Sequence, residues 1–241
     1  MKRYALLLPL LTFVGCSSST ALTSTIGSLP PGATMTVVSA HAAINVYKPA
    51  IGEPPDRFTV ATMVKGQAPD VVTPKIRRSG RGVIVDIPDP GIDGYGVLIR
   101  VPDRVNLVID SKQGNVNVTD INGNVDVKAG TGNVKIMVPG FARASVVTGN
   151  LDVTMGTATW PGTLRFSAGT GDVNVYVPEI AKFHARMHTD DGMLFTDFPL
   201  RGTAHGRSET IDANVNGGSP FGVDIESHAG TVRLLQLSPQ A

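Results

Sequence analysis

The chain has 241 residues, 41% of them hydrophobic, enough to bury a full-sized core in one all-β domain. Gly is abundant at 27 residues while aromatics make up only 5%, which suits short Val/Ile strands joined by tight turns and argues against a helical bundle. With a net charge of +1 and no basic stripe, nucleic acid is not an expected partner.

Lys2 and Arg3 form a positive start, Ala5 to Val14 form an apolar run, and Gly15 precedes Cys16, the only cysteine. A run this short reads as the core of a signal peptide over residues 1–15, not as a membrane span. Removing Lys2 and Arg3 with it takes the basic side chains from 21 to 19 against 20 acidic ones. Phe13-Val14-Gly15-Cys16 resembles a bacterial lipobox, although Leu is commoner where Phe13 stands. The resemblance implies cleavage before Cys16 and a diacylglyceryl group on its sulfur, which leaves no thiol for disulfides or catalysis. An ordinary secretory signal with a chance cysteine is the alternative. In a Gram-negative cell Ser17, not being Asp, implies sorting to the outer membrane, on its periplasmic or surface-exposed face. Residues 16–32 then comprise the lipidated Cys16 and a polar tether, rich in Ser and Thr from Ser17 to Thr25. Such a lipid anchors the chain without spanning the bilayer.

The domain that follows, residues 33–241, divides by regularity. Up to about residue 96 the strand-like pieces Met35 to Val38, Ile44 to Tyr47, Phe58 to Val64 and Gly82 to Ile87 are separated by Pro- and Gly-rich loops. Irregular first coils are the expected cap of a stack. Beyond them Pro102, Pro139, Pro178 and Pro220 are answered by Gly114, Gly149, Gly192 and Gly230. Apolar and polar residues alternate after Gly114, Gly123 and Gly132, placing Val116, Val118, Val125, Val127, Val134 and Ile136 on one face. The pattern recurs after Gly149, Gly171, Gly192 and Gly230. Such self-similarity predicts a single-stranded parallel β-helix, or β-solenoid, in which Gly132, Gly149, Gly171 and Gly192 mark successive coils about 4.8 Å apart. A β-sandwich, with short antiparallel strands at regular spacing, is the alternative.

Candidate chemistry is sparse. His184, His188, Asp190 and Asp191 have the residue types of a metal site, but Asp190-Asp191-Gly192 falls where the other units turn, so a solvated corner and no metal are expected. Asn115, Asn124, Asn133 and Asn150 recur beside the glycines and are expected to stack as a ladder. Asp152, Asp172 and Glu179, with Arg165 and Lys182, would be the carboxylates and bases of a polysaccharide-active β-helix enzyme if they converged. Their spacing does not single them out. Trp160, in Thr159-Trp160-Pro161-Gly162, is the loop aromatic with the character of a surface contact for sugar or protein; packing over a solenoid edge is the competing reading.

The Gly-[Asn/Asp]-Val-x-Val words, the Val-Pro steps at Val101-Pro102, Val138-Pro139 and Val177-Pro178, and the closing Gly230-Thr231-Val232-Arg233-Leu234 resemble the bacterial putative adhesin domain family, a β-strand-repeat domain of unknown function. The resemblance implies a right-handed parallel β-helix in a cell-envelope protein and supplies no catalytic residues. The expected function is therefore that of a lipid-anchored cell-envelope β-solenoid presenting a rigid binding surface, an adhesin or envelope-organising protein without catalysis or cofactor. Its partners would be the membrane, through Cys16, and an envelope glycan or protein. The alternatives are an envelope polysaccharide enzyme and a periplasmic regulatory or scaffold partner.

Overall fold

The computed structural model describes residues 19–65, 73–89, 91 and 94–237. Cys16 and the signal segment lie outside them. Among the described residues there is no helix, and the strands form two large mixed sheets that do not close into a barrel.

The less regular part holds β1 (Ser19–Ser28), β2 (Thr34–Ser39), β3 (Ala43–Tyr47), β4 (Arg57–Lys65), β5 (Lys75–Ser79), β6 (Gly82–Ile87) and β7 (Tyr95–Arg100). The repetitive part runs through β8 (Asn106–Gln113), β9 (Val116–Thr119), β10 (Val125–Thr131), β11 (Val134–Val138), β12 (Ala142–Thr148), β13 (Leu151–Met155), β14 (Thr163–Thr170) and β15 (Val173–Pro178). The remainder comprises β16 (Phe183–Asp191), β17 (Leu194–Thr196), β18 (Thr203–His205), β19 (Ser208–Val215), β20 (Gly222–Ala229) and β21 (Val232–Leu237).

The first sheet is 10-stranded, in the order β1-β4-β7-β3-β9-β11-β13-β15-β21-β17, and the second is 11-stranded, in the order β18-β19-β16-β20-β14-β12-β10-β8-β2-β6-β5. From β8 to β15 the chain alternates between them, each strand pairing in parallel with the one two places on: Val125 opposes Leu107 and Ala142, and Val134 opposes Val116 and Leu151. Antiparallel strands occupy the margins, β1 and β4 on the first sheet, β5, β18 and β19 on the second.

Both sheets turn one face to a single hydrophobic core. Val116, Val118, Val125, Val127, Val134 and Ile136 are all within it, none more than 2% exposed. Each such side chain contributes on the order of 1.5–3 kcal/mol by leaving water.

At the corner between the sheets a row of glycines carries the turn. Gly132, Gly149 and Gly171 share a φ of 136°, where side chains are strained. A Cβ at any of them would collide with the carbonyl of the glycine one rung back, Gly114, Gly132 and Gly149 respectively.

The stacking order departs from the order of the sequence at both ends. Gly192 was the expected successor of Gly171, but Gly230 abuts Gly171 and Gly192 abuts Gly230. The last unit, β20 and β21, is inserted between β14–β15 and β16–β17, and the first unit, β2 and β3, between β6–β7 and β8–β9. Gly230 shares the positive φ of the corner, at 155°, and the Thr231 N–H continues its hydrogen bonds through Asp172 Oδ1.

Ser19–Ser28, inside the segment expected as a tether, is strand β1. It pairs antiparallel with β4 through a register shift between Ala21 and Thr23, and Leu29 and Ala33 beyond it are 1% exposed. The sheet thus begins before residue 33, since the β-branched Thr20, Thr23, Thr25 and Ile26 favour a pleated strand as readily as Ser and Thr favour a linker.

Candidate functional site

The outward face of the second sheet is where the fold assembles chemistry from distant parts of the chain. Period-two alternation sends every other residue of β10, β12, β14, β20, β16 and β19 outward, and the register lines these residues up across strands. In one row Asp126 opposes Arg143, Arg165 opposes Asp224, and Asp224 and Asp212 flank Arg186. In the next Lys128 opposes Ser145, Ser145 opposes Ser167, Ser167 opposes Glu226, and Glu226 and Thr210 flank His188.

Small residues between long ones make a trough. Ser145 and Ser167 form its floor; Lys128, Arg143, Arg165 and Glu226 rise beside them around a groove of about 570 Å³. It runs on into a second depression of about 320 Å³ at Gly169, Asp190 and His228, with Ser167, His188 and Glu226 common to both.

The wall is a lattice of exposed ion pairs. Arg165 Nε lies 3.7 Å from Asp224 Oδ2, Arg186 Nε 3.3 Å from Asp212 Oδ2, and His184 Nε2 2.8 Å from Asp212 Oδ1. Pairs this exposed are worth roughly 0–1 kcal/mol each, so they orient side chains more than they hold the fold. Asp190 ties two strands together: His228 Nδ1 donates to Oδ2 at 2.6 Å and His188 Nε2 to Oδ1 at 2.9 Å. These two hydrogen bonds, that from His228 the stronger, hold the Asp190 carboxyl below the usual carboxylate range. The bridge is therefore present above the ordinary carboxylate pKa and opens only as pH falls through the lowered value.

His188 and Asp190 thus come together, with His228 and Glu226 as neighbours that sequence reading missed. His184 turns to Asp212 and Asp191 to Arg207 instead. Among the described residues no group of three or more His, Cys, Asp or Glu is placed to hold a metal ion. His228 lies beside Asp190 only because β20 is inserted next to β16, which the repeat pattern does not announce.

Trp160 is not a surface contact. It is 3% exposed, its Nε1 donates to Gly222 O at 3.0 Å, and its ring packs against Phe183 with centroids 5.4 Å apart. The turn at Gly162, with φ 67°, brings the indole inward, where it plugs the core above the inserted β20 and satisfies its own N–H.

The carboxylates of the enzyme alternative are dispersed. Asp152 faces outward on the first sheet and accepts from Asn174 Nδ2 at 2.6 Å, Asp172 sits at the glycine corner with Arg233, and Arg165 is on the second sheet.

The asparagines do form ladders. The backbone N–H of Asn133 donates to Asn115 Oδ1, that of Asn150 to Asn133 Oδ1, that of Asp172 to Asn150 Oδ1 and that of Thr231 to Asp172 Oδ1, each at 2.9 Å. Asn124 belongs to a separate, shorter ladder with Asn106. Asn150→Ala is expected to cost about 1 kcal/mol, one corner hydrogen bond, read as a lower urea midpoint at unchanged slope.

No family model matches the chain, and no curated protein does. Among solved structures it is similar to a "putative cell adhesion protein" from Clostridium sporogenes, 11% identical, with a TM-score of 0.53 over 90% of this chain and 100% of that one. A "putative adhesin" from Bacteroides fragilis, 11% identical, has a TM-score of 0.45 over 89% of this chain and 96% of that one. The first likeness is one of fold.

Proposed function

We propose that the chain is a β-solenoid of the cell envelope, lipid-anchored through Cys16 at the outer membrane, whose rigid outer face binds a glycan or protein without catalysis, in adhesion or envelope organisation. The observation that carries this reading is the in-register parallel pairing from β8 to β15, which sets outward side chains in rows about 4.8 Å apart. Binding to such a surface requires little ordering of the protein, because the strands already fix where each group stands. The groove along Ser145 and Ser167 is the contact region, long, polar and open to an extended ligand. The resemblance in fold to a protein named for cell adhesion supports the same direction.

Protease shaving of intact cells, followed with an antibody against the mature domain, tests the surface role. The domain is expected to disappear before a periplasmic marker does. Protection until the outer membrane is breached would overturn adhesion and favour a periplasmic regulatory or scaffold partner.

A further inference from the structure

At one end of the stack the two sheets finish in very different strands. The first sheet ends in β1, whose ten residues carry no charge, with Ile26 61% exposed. The second ends in β5, Lys75-Ile76-Arg77-Arg78-Ser79, which among the described residues pairs only with β6. With Arg81 in the following turn, residues 75–81 hold four cations and no carboxylate.

All four cations are exposed, and among the described residues none forms an ion pair. Arg81 reaches only the Pro31 carbonyl, at 3.4 Å, and Asp86, the register partner of Lys75, makes no bridge to it. Charge on an edge strand deters edge-to-edge pairing, yet the longer edge, β1, has none. What distinguishes this end is where the chain enters it. Ser19 opens β1 opposite Lys65, and two residues, Ser17 and Ser18, separate it from Cys16, a span of at most about 10 Å.

We propose that this end of the stack seats on an anionic phospholipid surface, with Lys75, Arg77, Arg78 and Arg81 meeting the headgroups. The inference rests on the reading of Cys16 as the anchor and adds a second, electrostatic attachment to it. A diacylglyceryl anchor already holds the chain at the bilayer but leaves the body free to swing; a basic patch beside it orients the body on the lipid. The long axis then rises from the membrane and carries the groove near β16 and β20, at the opposite end, away from the lipid.

The test uses the mature chain from residue 16 with Cys16→Ser, so that lipid does not mask the electrostatic contribution. It is sedimented with vesicles of phosphatidylcholine alone or of phosphatidylcholine with phosphatidylglycerol. Binding is expected only to the anionic vesicles and to weaken as salt rises, with about fivefold in partitioning per cation. The double variant R77E/R78E should lose at least about tenfold at an unchanged melting temperature, and R81E, in the exposed turn, gives an independent reading if that variant misfolds. Equal binding to neutral vesicles, or reversal variants that partition like the parent, would overturn the proposal. Mass spectrometry of the native N-terminal peptide reads the anchor separately: an unmodified Cys16 sinks the lipoprotein reading and leaves the vesicle result to judge the basic end.

Discussion

Deleting residues 220–241 is expected to unfold the chain, not to shorten it. In a solenoid stacked in sequence order, loss of the last unit removes one interface and leaves the remainder standing. Here β20 lies between β14 and β16, and β21 between β15 and β17, so the deletion opens a gap in the interior of both sheets. Val223, Ile225, Val232 and Leu234, none more than 1% exposed, leave the core. At roughly 1.5–3 kcal/mol each, their burial alone is comparable to the 5–15 kcal/mol that separates an ordinary domain from its unfolded state. Trp160 also loses the Gly222 carbonyl that satisfies its indole N–H. Circular dichroism and secretion yield report the outcome. A truncated product that still melts cooperatively near the parent temperature would mean that β14–β15 can stack directly on β16–β17.

Gly171→Val is the point substitution expected to cost most. Gly171 has φ 136°, its Cβ would come within 2.6 Å of the Gly149 carbonyl carbon, and Asn150 Oδ1 would be 3.1 Å away. Backbone stands in the way, so no side chain can swing aside. Its own carbonyl accepts from Ser227 Oγ at 2.8 Å, which ties it to the inserted unit as well. Strain of about 1–3 kcal/mol from the backbone angle and a similar amount from overpacking should lower the melting temperature by roughly 4–24 °C. Gly140→Ala is the matched control, since nothing lies within 4 Å of a Cβ there. Equal melting temperatures for the two variants would remove the glycine row from the list of structural requirements.

Much of this fold is legible in the sequence because its local words are strict. The alternation after Gly114, Gly123 and Gly132 identifies the inward Val and Ile correctly, and Gly114, Gly132, Gly149 and Gly171 mark the corner that needs positive φ. What the words do not contain is neighbour identity. Both Gly192 and Gly230 open an alternating strand, and it is Gly230 that abuts Gly171. That single ambiguity hid the groove: Asp224, Glu226 and His228 belong beside Arg186, His188 and Asp190 once β20 is next to β16, and stand alone otherwise. Trp160 follows the packing alternative, and which partners it would find was not written locally: its ring meets Phe183 and its indole N–H the Gly222 carbonyl, 62 positions on.

On the proposed reading of residues 1–15 as an export signal, the displaced first unit also bears on translocation. A chain exported from its N-terminus delivers Thr34–Tyr47 early, but both neighbours of that unit, Gly82–Arg100 and Asn106–Thr119, emerge later. The first unit cannot be locked in place until Gly82–Arg100 has followed it, and the final rungs wait for Gly222–Leu237. Contacts so distant in sequence form slowly. The interleaving thus keeps an exported chain open during its passage and closes the stack only when its late strands arrive.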